Sequence, residues 1–357
     1  MEPVKAGAAA RSADTTSSPL VPYQRNGYAP LFLLWIIVML GACRGEPEPR
    51  PTLAPTAAAV QTFTPLPTLS PTPSPTATLV PTETATPVLQ YPTATSAPSA
   101  TPPPTATSQA VGVETVIGYS VEERPLLDYR FNNGPHHIVL VGGIHGGYDW
   151  NTIALAYALI DYFRENPHEI PAAVTLHIVP SANPDGMAWV AQETEAGDFA
   201  DLVSVPQAEL LPGRFNANEV DLSRNWDCQW HRSSYWEEQW VSGGREPFSE
   251  PETQALRDFL VNQPANVVAF WYSGANGVFG SGCGTLFAPS VETARIYSLA
   301  SGYPVYEKFD DYFIYGNAVD WLAREQIPAF MIALKSHDDT EFNANLDGLR
   351  ALMAAYQ

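Results

Sequence analysis

Cysteine is scarce in this chain: three in 357 residues allow one intramolecular disulfide at most. Basic side chains are few as well, 18 Lys and Arg against 38 Asp and Glu, for a formal charge of −20. A chain with that balance repels polyanions, so nucleic acid and anionic lipid headgroups are poor partners. The acidity otherwise signals solubility and names no substrate. All of the excess falls on residues 111–357, because residues 1–110 hold five side chains of each sign. Apolar periodicity is missing from residues 46–110, where Pro, Thr, Ala and Ser dominate. Nothing there offsets the entropy of ordering, and the prolines favour solvated polyproline II, at roughly 3 Å per residue where extended. A bilayer-length apolar run is also absent: residues 31–40 are apolar, about half of the roughly 20 residues a spanning helix needs.

What is present divides the chain into three. Lys5, Arg11 and Arg25 precede the apolar run, which is the layout of a secretory signal. Leu40-Gly41-Ala42-Cys43 closes the run and resembles a bacterial lipobox, in which the Cys is lipidated and becomes the mature N-terminus. An uncleaved membrane anchor or an ordinary signal peptide is the alternative, and each of these exports the domain. Residues 1–43 are therefore expected as an export segment, 44–110 as a disordered stalk and 111–357 as a folded domain, which carries eight of the nine tryptophans. With Cys43 lipidated, Cys228 and Cys283 are left as a pair in an oxidising compartment, either disulfide-bonded or as two buried thiols.

Short β-rich runs alternate with longer helical patterns. They predict strands near 114–118, 125–131, 137–142, 174–180, 266–272 and 328–334. Helices fit at 151–163, 252–261 and 343–355; the first gathers Ile153, Leu155, Ala156, Ala158, Leu159 and Phe163 on one broad apolar face. Ile138-Val139-Leu140-Val141 is apolar on both faces, as in a central strand of a covered sheet. The class is α/β, a single mixed and mostly parallel sheet flanked by helices. Ligands in such sheets gather beyond the carboxyl ends of the strands, where the loops at 142–150, 181–187 and 272–283 fall.

Three motifs stand in a telling order: GGIHGGYDWNT at 142–152, NPDG at 183–186 and DLSRNWD at 221–227. A catalytic zinc needs three protein ligands and an open position for water. His145, after an apolar strand and among glycines, suits one of them. With IGYSVEERPL before them, these motifs resemble the metallocarboxypeptidases of the carboxypeptidase A and B type over nearly all of 111–357. The resemblance implies their fold, zinc as cofactor and peptide C-termini as partners. It makes NPDG a structural turn. It also places Arg214 where the scissile carbonyl is polarised, and Arg224 with Ser223, in the place of an Asn, where the substrate's terminal carboxylate is held. Tyr312, in DDYFIYGNAVDW, keeps the spacing of a mobile substrate-binding tyrosine, and Val319, seven residues on, falls at the base of the specificity pocket, favouring an apolar C-terminal side chain.

The departures fall on the chemistry. The family has a ligating Glu three residues after the His; here that position is Tyr148, and Asp149 follows it. Asp149 is either a displaced ligand or a helix N-terminal carboxylate. The third ligand, a His before Ser, is replaced by Tyr272 in PANVVAFWYSGANG, and the Glu that takes the proton from zinc-bound water is replaced by Ala333 in IPAFMIALKSHDD. A methyl group is no base, and loss of one costs roughly 10²- to 10⁴-fold in rate. The expectation is a carboxypeptidase-like pseudoenzyme that binds peptide C-termini or cell-wall peptides, with zinc weak or absent. A working zinc peptidase recruiting Asp149 and either His231 or His337 is the second reading. A structural or adhesive surface module is the third.

Overall fold

The computed structural model describes residues 111–357, apart from Glu195, Glu238 and Pro264; the export segment, Cys43 and the stalk lie outside the described residues. Eight strands form one sheet. In chain order they are β1 (Val113–Tyr119), β2 (Pro125–Phe131), β3 (His136–Val141), β4 (Val174–Val179), β7 (Ala265–Tyr272), β8 (Gly277–Phe279), β9 (Val305–Tyr306) and β10 (Ala329–Ala333). The remaining two, β5 (Ser233–Trp236) and β6 (Gln239–Ser242), make a separate hairpin. The spatial order is β1-β2-β4-β3-β7-β10-β8-β9, with β4, β3, β7 and β10 mutually parallel and antiparallel pairing at β1–β2, β2–β4 and β10–β8. The helices are α1 (Trp150–Glu165), α2 (Pro184–Glu193), single turns α3 (Phe199–Leu202) and α4 (Gln207–Leu210), then α5 (Pro251–Asn262), α6 (Ala288–Ser301), α7 (Ala318–Arg324) and α8 (Phe342–Ala354). Among the described residues no helix is long and apolar enough to cross a membrane.

Strand alternation explains why the central strands read as unbroken apolar runs. Ile138 and Leu140 of β3, Val267, Ala269 and Trp271 of β7, and Phe330 and Ile332 of β10 pack on one side with Leu155 and Leu159 of α1, Tyr297 of α6 and Leu352 of α8. Their neighbours Val139, Val141, Val268, Phe270, Met331 and Ala333 pack on the other side with Leu256 and Leu260 of α5, Leu322 of α7 and Trp226. A residue on either face is thus buried, and both must be apolar. The predicted strands all form, within a residue or two of their expected ends. The β5–β6 hairpin, β8, β9, α2, α6 and α7 are additions that the sequence reading did not contain.

NPDG builds a joint rather than a reactive group. Asn183 caps α2 by accepting from the Gly186 N–H, and Asp185 accepts from the Ser120 hydroxyl (2.6 Å), the Glu122 N–H and Arg124 (2.7 Å), tying α2 to the β1–β2 turn. Glu252 of α5 completes this joint, accepting from the Val121 N–H and the Asn216 side chain. Burial, with Asp185 nearby adding to it, pushes the Glu252 carboxyl up to about 7 from an ordinary 4.5. A carboxyl that holds its proton more tightly when folded stabilises the fold fully below pH 4.5 and loses that contribution as pH rises through about 7. Between those limits the Glu252→Gln variant should gain roughly 3 kcal/mol relative to the parent. Urea unfolding of both proteins at pH 4.5 and 8 checks this; parallel stability curves would refute it.

Candidate active site

Because β3, β4, β7 and β10 are parallel, their carboxyl ends open on one edge of the sheet, and the candidate residues arrive there from different parts of the chain. β3 runs out through Gly142 and Gly143 to His145, followed by a 3₁₀ turn, Gly146–Asp149, and α1. Gly146 takes φ +47°, and a Cβ there would sit 2.5 Å from the Gly213 carbonyl, so only glycine lets the two loops touch. β7 and β10 end side by side, with Tyr272 and Ala333 paired in register. Together His145, Asp149, Arg214, Ser223, Arg224, Tyr272, Tyr312, Ala333 and His337 line one cavity of about 210 Å³. His231 is not among them. Val319 is buried in α7 and lines a second, adjoining cavity of about 890 Å³ that also contains His231 and shares Tyr312 with the first. Cys228 and Cys283 are joined as a disulfide.

Asp149 occupies the N-cap position of α1, yet its carboxylate caps nothing. One oxygen bonds His145 Nδ1 at 2.8 Å, and the other lies 3.1 Å from His337 Nδ1 without the alignment of a hydrogen bond. His337, one of the two candidate recruits, is thus brought to the site by Asp149. Arg214 is wholly committed. Its Nε and Nη2 both reach Asp221 Oδ2, at 3.0 and 2.9 Å, and its guanidinium stacks 3.9 Å above the Trp236 ring with Tyr148 beside it. Its Nη1 lies 3.2 Å from His145 Nδ1. Asp221 and Trp236 were not identified from sequence; the first sits three residues before Arg224 in the same motif, while Trp236 belongs to a hairpin whose alternation is only four residues long on each strand.

Two buried carboxylates in one small site would ordinarily be protonated. Burial does press both upward, but His145 and His337 outweigh it at Asp149, and Arg214, His145 and Arg224 outweigh it at Asp221, so both stay well below the usual carboxylate range. Burial followed by the Arg214 charge lowers the His145 imidazole, favouring its neutral form. With Asp149 ionised, the imidazole proton belongs on Nδ1. Nε2 is left buried and unpartnered, 3.7 Å from Asp221. Burial raises the Tyr272 phenol, which therefore stays protonated, and its hydroxyl likewise has no partner.

These residues do not fit a catalytic zinc. Three donors must converge on an ion. Here Tyr148 serves as a wall against Trp236 and His337, Tyr272 is a neutral phenol, and His145 Nδ1 is already engaged by Asp149 and crowded by a guanidinium. Among the described residues no group of three or more His, Cys, Asp or Glu side chains is placed to hold a metal ion.

Arg224 is the contrast. It is 2 % exposed, makes no side-chain hydrogen bond or salt bridge among the described residues, and has a buried Nε without a partner. Tyr312 stands 5.8 Å from its guanidinium. Ser223, beside it, spends its hydroxyl on Asp221 at 2.6 Å. The segment is held from behind: Gly316, at φ +68°, accepts from the Trp226 N–H and donates to the Cys228 carbonyl, and a Cβ there would strike the Arg224 carbonyl at 2.4 Å.

Comparison with known proteins agrees with this architecture. Residues 105–283 match the zinc carboxypeptidase family. Carboxypeptidase E of Caenorhabditis elegans is 34 % identical over 122 residues, which is 30 % of this chain and 24 % of that protein, so the chain matches about a quarter of its relative's length. Among solved structures, bovine thrombin-activatable fibrinolysis inhibitor in complex with tick carboxypeptidase inhibitor superposes with TM-score 0.53 at 19 % identity, over 68 % of this chain and 88 % of that one. Carboxypeptidase A from Helicoverpa armigera gives 0.51 at 18 %, over 69 % of each. At such identities the structures speak for the fold alone.

Proposed function

Since the chain belongs to the zinc carboxypeptidase family, we propose that it keeps the family's grip on peptide C-termini without the family's hydrolysis, as a pseudoenzyme displayed outside the cytoplasm and tethered at a lipidated Cys43. The observation that carries this reading is Arg224, a buried guanidinium with no hydrogen-bonded ion pair among the described residues, facing a cavity whose general-base position is the methyl of Ala333. An unpaired buried cation is costly, and a carboxylate is the ligand that offsets that cost with two parallel charge-assisted bonds. Binding of this kind needs neither metal nor base. Arg214, locked on Asp221, holds the site's shape and contributes its field rather than a free hydrogen-bonding edge. The partners are thus peptides with a free C-terminus, cell-wall peptides among them, and not nucleic acid.

The convergence of His145, Asp149 and His337 favours one rival, a peptidase with a rearranged metal site. One experiment separates the two. Protein solubilised from the membranes of cells grown in zinc-supplemented medium should carry substoichiometric zinc by plasma mass spectrometry and release no C-terminal residue from a peptide mixture, while intact mass should place a lipidated Cys43 at its N-terminus. One zinc per chain, with release abolished by a chelator, would establish the rearranged peptidase instead. An unmodified Cys43 would remove the tether.

A further inference from the structure

We propose that the larger cavity next to the Arg224 site is a saccharide-binding groove. It lies between the β5–β6 hairpin and the 309–315 loop, and its volume of about 890 Å³ falls in the range of ligand pockets, about 300–1,000 Å³. Its rim carries the two most exposed aromatic rings among the described residues, Phe313 at 81 % and Trp240 at 71 %, together with Tyr235 at 52 %. The rings come in ordered pairs. Tyr235 meets Trp240 edge-on at 5.4 Å, and Phe313 stacks on Tyr315 at 6.1 Å and 16°. Leaving three large rings in water around a cavity is unfavourable unless something covers them. Deeper in, the wall turns polar. The Ser234 hydroxyl is 2 % exposed and has no hydrogen-bond partner, so a buried polar group there awaits one.

That combination selects the ligand class. A pyranose has flat faces of slightly positive C–H groups, which suit the negative faces of aromatic rings, and a rim of hydroxyls that suit an orphan hydroxyl and backbone groups. A peptide helix or strand would instead need a run of aliphatic pockets at the rim, whereas Leu286 is the one exposed aliphatic side chain among the lining residues and Val319 and Met331 lie buried on the floor. Asp310, Asp311 and Asp320 outnumber Lys308 along the wall, which disfavours phosphorylated or uronic sugars and leaves a neutral or amino-bearing one. Phe309, Tyr312 and Met331 line both cavities, so the groove and the carboxylate site form one continuous surface, but the inference does not depend on peptide binding.

The test uses the full chain titrated with hexameric β-1,4-linked N-acetylglucosamine, with cellohexaose and an anionic heparin oligosaccharide alongside, read by tryptophan fluorescence and calorimetry. Saturable binding of a neutral oligosaccharide is expected, weakened about tenfold or more by Trp240→Ala and by Phe313→Ala. Trp189→Ala, an exposed tryptophan on α2 outside the groove, should leave it unchanged, as should Arg224→Ala. That last variant keeps this inference distinguishable from the peptide reading. Absence of saturable binding by either neutral sugar, binding indifferent to both groove substitutions, or preferential capture of the anionic oligosaccharide would each overturn the assignment. So would saturable binding of an apolar peptide that the two groove substitutions abolish.

Discussion

Replacing Arg224 with alanine should weaken the binding of a free-acid peptide by roughly 100- to 1,000-fold, on the scale of about 3–4 kcal/mol for truncating one partner of a buried charge pair. The amidated form of the same peptide, which lacks the carboxylate, should bind poorly to the parent and change little with the substitution. The asymmetry is the informative part. Arg224 is buried and makes no salt bridge among the described residues, while Asp221, whose ionisation it assists, keeps its direct bonds to Arg214, so the substitution takes away the cation available to the ligand and leaves Asp221 paired. Arg214→Ala should behave differently. It exposes the buried Asp221 and the Trp236 ring to an unfilled space, so it should lower stability and affect both peptide forms together. Calorimetric titration of both peptides against the parent and Arg224→Ala proteins decides the matter, and an equal loss for acid and amide would sink the carboxylate reading.

The second large effect concerns the Cys228–Cys283 disulfide, which closes a loop of 55 residues. In the chain-entropy account such a closure is worth about 4 kcal/mol, taken mainly from the unfolded ensemble. Cys228→Ser with Cys283→Ser should therefore lower the urea midpoint by on the order of 1–2 M for a domain of this size. The bond has a local consequence too, since Cys228 is four residues beyond Arg224 and its carbonyl accepts from Gly316. Peptide affinity in the double-serine protein should fall under conditions where most molecules remain folded. An unchanged midpoint would mean that the reduced ensemble is already restrained by other contacts.

Sequence carried the fold further than it carried the site, for a physical reason. Ile138, Val139, Leu140 and Val141 are apolar because each packs on one of two covered faces, so the central strands can be read from four letters. The β5–β6 hairpin is half exposed, short and turned through Glu237 at φ +50°, and its alternation is lost among neighbouring aromatics. At the site, the motifs single out His145, Arg214, Arg224, Tyr272 and Ala333, and the fold brings all five to one cavity. What no motif reveals is commitment. Arg214 and Arg224 look alike in sequence, and only the placement of Asp221 and Trp236 shows that one is engaged and the other is not. His337 likewise reads as an ordinary residue past a strand until Asp149 is found 3.1 Å from it.

Gly316 gives the loop that carries Tyr312 a fixed end. Its amide and carbonyl are pinned to Cys228 and Trp226, and its backbone presses on the Arg224 carbonyl too closely for any side chain. With Gly316 clamped, any displacement of Tyr312 has to be absorbed by the backbone on either side of it, at residues 307–311 and 313–315. The backbone that carries Arg224 therefore also supplies the downstream anchor of the loop bearing Tyr312.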